Sequence, residues 1–202
     1  MKARYLLALT ALSLGTMACT DNPTSPDANV LAKKNPAPAE APGAGQAEGT
    51  IVEIALAVNG ATGEFSTLIF ALQEAGLVAE LNGKRQYTVF APTDQAFVNL
   101  DMMLQADFGI GLGDVVANTE LLTDILLYHV KEGRRFSNSV LNARQLNMAN
   151  GEFVFVGEGS LEDAAGQTIG FEDDIDIPAT NGVIHVIDTV LLPPSVLEAL
   201  GL

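Results

Sequence analysis

Thr88-Val89-Phe90-Ala91-Pro92-Thr93-Asp94-Gln95-Ala96-Phe97 is the stretch that decides the fold. Gln86 to Ala91 is a run of β-branched and aromatic residues and predicts a strand. Pro92 has no backbone donor and stops it. Thr93 is a good helix N-cap, and Asp94 suits the positive end of the helix dipole. A helix is therefore expected over Thr93–Leu100, with Ala96 and Phe97 facing inward. Phe90 and Phe97 read as core anchors on either side of the junction.

Upstream, Thr50–Val58 reads as a short helix ended by Asn59-Gly60. Glu64–Ala75 reads as a stronger one, because Phe65, Leu68, Ile69 and Leu72 fall at i, i+3, i+4 and i+7. Ser66 or Thr67 is its expected cap and Gly76 its end. Leu77–Leu81 adds a helical turn. Downstream, Asp101–Ala117 is ambiguous, and Thr119–Val130 predicts a mostly buried helix. Arg144–Met148 and Glu152–Val156 flank Ala149-Asn150-Gly151, a strong hairpin signal. Thr168–Phe171, Ile175–Pro178 and Val183–Leu192 read as strands, with a tight turn at Asn181-Gly182. Pro193-Pro194 ends the last of these, and Ser195–Leu200 closes with a helical turn. In Val183–Leu192 both alternating faces are apolar, as expected of a central strand covered on both sides. His185 and Asp188 are then polar groups inside that strand, and they need partners. Helices come first and strands later, so the class is α+β.

The 202 residues carry a formal charge of −15. Such acidity argues against nucleic acid as a partner, since phosphate binding draws on clustered Lys and Arg. The solitary Cys excludes an intrachain disulfide and a Cys-rich zinc site. That Cys19 follows a basic start (Lys2, Arg4), an apolar run from Tyr5 to Leu14 and small Ala18. Residues 1–18 thus read as a secretory signal peptide, too short to span a membrane. The segment resembles a bacterial lipoprotein signal, which implies lipidation at Cys19. Thr16 stands where that pattern has an aliphatic residue, so ordinary cleavage nearby is the alternative. Thr20 rather than Asp follows the Cys, which favours the outer membrane over the inner. Thr20–Glu48 holds five of the nine prolines and no aromatic residue, and reads as a disordered tether. Its reach is on the order of 100 Å fully stretched. The first 48 residues carry equal numbers of acidic and basic side chains, so the net charge belongs to the domain at 49–202.

Three segments carry a resemblance to the fasciclin domain. The strand-to-helix stretch from Thr88 to Phe97 is the first. Leu126-Leu127-Tyr128-His129-Val130 is similar to the family's Tyr-His motif. Asn181-Gly182-Val183-Ile184-His185-Val186-Ile187-Asp188-Thr189-Val190-Leu191-Leu192-Pro193 is similar to its second long motif. The resemblance covers about Gly49 to Pro193. It implies a wedge-shaped β-sandwich with helices packed along one side, and a non-enzymatic adhesion or matrix-binding role. The structural motif residues are then Phe90, Pro92, Thr93, Phe97, Asn181, Gly182, His185 and Asp188. Asp124-Ile125, just before Tyr128-His129, resembles the Asp-Ile pair of recognition segments in animal members. Asp124, Ile125, Tyr128 and His129 are therefore candidates for partner contact, with a helix residue on the solvent side and a buried, hydrogen-bonded His as the simpler readings.

Other chemistry finds little support. A triad of a Ser, His129 or His185, and Asp188 lacks a G-x-S-x-G elbow, since Gly157-Glu158-Gly159-Ser160-Leu161 misses it. Gly109-Ile110-Gly111-Leu112-Gly113 lacks the Lys-Ser/Thr of a phosphate loop, and Asp114 would repel phosphate. The carboxylates between Glu158 and Asp176 suit a hard cation, but no EF-hand spacing exists, and a solvated hairpin is the simpler reading. No catalytic residue, metal or cofactor is expected. The expected function is a surface-anchored module, monomeric as a domain, that contacts an extracellular protein or polysaccharide and meets the membrane only through its lipid. The alternative is a periplasmic or secreted binder of a small ligand or matrix polymer.

Overall fold

The computed structural model describes residues 48–172 and 175–201. The segments expected to be a signal peptide (residues 1–18), a lipidated Cys19 and a tether (to residue 47) lie outside them. Helices α1 (Ile51–Thr62), α2 (Ser66–Glu74) and α3 (Val78–Leu81) precede strand β1 (Tyr87–Pro92). Helices α4 (Asp94–Asp107), α5 (Leu112–Ala117) and α6 (Thr119–Tyr128) follow. Then come β2 (Val130–Glu132), α7 (Ser137–Leu141), β3 (Gln145–Asn147), β4 (Phe153–Val156), β5 (Leu161–Glu162) and β6 (Thr168–Ile169). The series ends with β7 (Ile177–Ala179), β8 (Gly182–Ile187) and α8 (Pro194–Leu200).

The strands form two four-stranded sheets, in the orders β2-β1-β8-β7 and β3-β4-β5-β6. The central pair of the first sheet, β1 and β8, is parallel over six residues, and every other pairing is antiparallel. Both central strands are buried at every position. On one face Val89, Ala91, Ile184 and Val186 join the helical core with Phe65, Leu68, Phe97 and Leu126. On the other, Phe90 and Ile187 meet Leu146, Val154, Leu161 and Ile169 of the second sheet. This is the doubly covered strand expected from the pattern of Val183–Leu192, although it ends at Ile187 and the apolar residues after it lie in a loop; the architecture is α+β.

Local chemistry explains where boundaries differ from expectation. α1 runs through Asn59-Gly60 to Thr62, because the left-handed position that ends it is Gly63, at φ 78°. α2 is capped by neither Ser66 nor Thr67. The carboxylate of Asp94 accepts the Thr67 N–H at 2.8 Å, so the second helix borrows its cap from the start of α4. Pro92 lies inside β1, at its last paired position opposite Ile187, where a missing donor costs nothing. α6 stops at Tyr128, and Val130 belongs to β2, paired with Val89. The β7–β8 turn is Thr180-Asn181, since Ala179 already pairs with Gly182. Gly182 is required inside the strand: a Cβ there would lie 2.1 Å from the Tyr87 carbonyl oxygen.

Candidate functional site

The polar residues of the three motifs converge on the two central strands and their ends. His129 is the residue that caps α6 and is buried. Its Nε2 accepts the Leu191 N–H at 2.9 Å, so the ring proton sits on Nδ1 and is donated to the Ile125 carbonyl at 2.7 Å. Burial lowers its pKa to about 4 and outweighs the Ile125 hydrogen bond, leaving it neutral at pH 7. Its one basic lone pair is already engaged, so it has none to offer as a general base.

His185 lies in the middle of β8 with no exposed surface. Its Nδ1 accepts the Asp176 N–H at 3.3 Å, and its Nε2–H donates to the Arg135 carbonyl at 2.9 Å. The ring packs 5.5 Å from Phe90 and edge-on to Phe171. Burial lowers its pKa as well. Its acidic neighbour is Asp176, 3.6 Å from Nδ1, whose carboxylate accepts the N–H and hydroxyl of Ser137. The order Ser137–Asp176–His185 leaves the hydroxyl facing a carboxylate and not a base. That is the wrong connectivity for a nucleophile.

Asp188 is not inside the strand. It follows Ile187, is exposed, and accepts the Gly170 N–H at 3.0 Å and the Thr189 hydroxyl at 2.9 Å. A Cβ at Gly170 would sit 2.6 Å from that carboxylate. Asn181 is buried and joins three segments. It accepts the Ile51 N–H at 2.8 Å and donates to the carbonyls of Leu81 and Gly83. Thr93 caps α4 through the Ala96 N–H. Phe90 and Phe97 are core residues, as their position in the strand-to-helix stretch suggests.

The four partner-contact candidates separate. Ile125, Tyr128 and His129 are buried, which withdraws them from a partner's reach. The Tyr128 hydroxyl donates to the Phe153 carbonyl at 2.8 Å. Its pKa is raised, mainly by burial and further by the carboxylates of Asp163 and Glu152. Asp124 is half-buried and accepts from Asn150 Nδ2 and the Ser195 hydroxyl.

Two buried polar residues escaped the pattern reading. Thr88 donates to the Gly133 carbonyl and accepts the Arg135 N–H, fixing the loop after β2. Its signal was a polar residue in the middle of an apolar strand. Asp163 lies in the acidic hairpin yet is buried, contrary to the solvated reading. It accepts the N–H groups of Gln167 and Leu192 and the Gln167 amide. Burial raises its pKa against those hydrogen bonds. Among the described residues, no three His, Cys, Asp or Glu side chains are placed to hold a metal ion. The glycine-rich stretch is a helix start whose Asp114 accepts the Gly111 N–H, occupying the donor a phosphate would need. No described helix is long and apolar enough to cross a membrane.

The motifs thus form a scaffold in which the buried polar groups, Thr88, His129, Asn181 and His185, bond to main chain. Comparison with known proteins places the chain in the Fasciclin domain family, which it matches over residues 63–193. It is 34% identical over 148 residues to the transforming growth factor-beta-induced protein ig-h3 of Sus scrofa, covering 73% of this chain and 20% of that protein. It is 35% identical over 146 residues to protein sll1483 of Synechocystis, covering 72% of this chain and 74% of the relative. Among solved structures it is similar to a FAS1 domain pair from the insect cell adhesion molecule fasciclin I. The TM-score is 0.50 at 16% identity, over 74% of this chain and 52% of that one.

Proposed function

We propose that the protein is a non-enzymatic attachment module, exported, held to a bacterial outer membrane by a lipid on Cys19, and extended by a tether over Thr20–Glu48. The domain then contacts an extracellular protein or polysaccharide. One observation carries the non-enzymatic reading: both histidines are buried and spend their ring nitrogens on backbone groups, which makes them fasteners. Membership in a family with an insect adhesion molecule among its structural relatives supports attachment. A lipidated cysteine carries several alkyl chains, each buried CH₂ contributing ~0.8 kcal/mol, so anchoring would be stable.

The test is made on cells. Palmitate labelling is expected in wild type and not in Cys19→Ser. Protease added outside is expected to remove the domain from intact cells. Equal labelling of both proteins sinks the anchor, and a domain protected from protease moves it to the periplasm. A second reading, a binder of a small ligand, is favoured by a pocket of about 490 Å³. Leu77, Leu127 and Val130 line it together with Glu80, Arg85 and Glu132, an apolar body with a few polar groups.

A further inference from the structure

The outer face of the second sheet carries two aromatic rings that the core does not use. Phe153 and Phe155 are 45% and 51% exposed, while Val154 between them is fully buried. They stand on β4 about 7 Å apart along the strand, on the same side. Residues directly opposite each other in an antiparallel pair share a face. Asn147 is opposite Phe153, Gln145 and Glu162 are opposite Phe155, and Thr168 is opposite Glu162. All four are exposed. The face is thus two phenyl rings framed by two amides, a carboxylate and a hydroxyl.

We propose that this face binds a neutral polysaccharide strand, a proposal that rests on the attachment reading and gives it a surface. The C–H face of a hexose ring is apolar and slightly positive, and matches the negative face of a phenyl ring. The sugar hydroxyls at the ring's edge need planar acceptors and donors, which Gln145, Asn147 and Glu162 supply. Two half-exposed rings offer on the order of 200 Å² of apolar surface. A stable protein partner needs about 800 Å² on each side. A repeating polymer gripped by several membrane-anchored copies of the domain has no such requirement, since linked weak contacts add through avidity. Glu162 stands in the face and the chain carries −15, which disfavours an anionic glycan.

The test titrates the purified full chain with cellohexaose, chitohexaose, maltohexaose, polygalacturonate and hexalysine, reading backbone amide shifts. At least one neutral hexasaccharide is expected to shift Gln145, Asn147, Phe155 and Glu162. The double variant F153A/F155A is expected to weaken that binding at least tenfold, and F153Y/F155Y to keep it within about threefold. Both variants are expected to fold, because the replaced rings are half-exposed. The proposal is overturned if no neutral hexasaccharide shifts these amides, if F153A/F155A binds as wild type does, or if only polygalacturonate or hexalysine acts there. A surface-attachment assay separates the two proposals. Wild type and F153A/F155A attaching equally removes the face and leaves attachment standing. A wild type that binds hexasaccharide but attaches to no surface removes attachment and leaves the face.

Discussion

His129 accepts the Leu191 N–H at 2.9 Å across 62 positions of sequence, and so ties the end of α6 to the segment that follows β8. The other ring nitrogen reaches back to the Ile125 carbonyl. His129→Ala leaves a buried donor and a buried acceptor unpaired, at ~1–3 kcal/mol each, and opens a cavity as well. Urea unfolding is expected to show a loss of about 3 kcal/mol or more. A loss below ~1 kcal/mol would mean the ring is replaceable by water.

The same residue sets an acid limit. Its folded pKa is about 4, against ~6.5 for an unfolded histidine. Between these values the unfolded chain holds a proton that the folded chain does not. Stability from this group is therefore complete above ~6.5 and is lost as pH falls toward 4, by about 3 kcal/mol in total. His185, also lowered by burial, acts with the same sign. Asp163 acts in the opposite sense: its raised pKa lets the folded state hold the extra proton between about 3.8 and its folded value. Urea midpoints at pH 7, 5.5 and 4.5 should fall in that order. A midpoint unchanged from pH 7 to 4.5 would contradict the buried neutral histidine.

What the sequence made legible is what short-range pattern encodes. TVFAPTDQAF gave a strand, a cap and a helix, because each depends on residues a few positions apart. Both-face apolarity in Val183–Leu192 marked a covered central strand, though not its end at Ile187. The parallel pairing of β1 with β8 was not legible, since nothing local in either strand names a partner 95 positions away. The cap of α2 is hidden from local pattern for the same reason: its acceptor, Asp94, is 27 positions off. Asp163 looked solvated among acidic neighbours, and only the fold brings Leu192 to it. The buried His reading for residues 129 and 185 followed from their apolar surroundings, whereas their partners did not.

Two glycines should respond to alanine with opposite signs. At Gly182 the new methyl would meet the Tyr87 carbonyl at 2.1 Å and Ile51 Cδ1 at 2.6 Å, with β1 and β8 held at pairing distance. Gly182→Ala is expected to lose several kcal/mol or not to fold, since overpacking alone costs ~1–3 kcal/mol and here a backbone must also move. Gly60 is an exposed residue inside α1 with nothing within 4 Å of the added atom. Gly60→Ala should gain ~0.5–1 kcal/mol. Thermal midpoints measured side by side check both signs.

Asp94 links two helix starts. It is in the first turn of α4, and its carboxylate accepts the Thr67 N–H in the first turn of α2. Asp94→Ala should cost about 1 kcal/mol, the usual worth of a cap, and Asp94→Asn less, because the amide oxygen still accepts. Hydrogen exchange at Thr67 is the direct reading. Unchanged protection there in Asp94→Ala would show that another group caps α2.

Asp124 joins α6 to the β3–β4 turn and to α8 through Asn150 and Ser195. Glu152 closes the ring, accepting from Asn150 at 2.9 Å and from the Ser195 N–H at 3.3 Å. A carboxylate so engaged acts first on stability. Asp124→Ala should lower it by about 1–2 kcal/mol, and a double-mutant cycle with Ser195→Ala should return a coupling of at least ~0.5 kcal/mol. Ser195→Ala keeps the carboxylate while breaking the junction, so it separates a structural role from a contact role. Attachment is expected to follow stability, with the two single variants alike. If Asp124→Ala lost attachment while Ser195→Ala kept it, the carboxylate itself would be touching the partner.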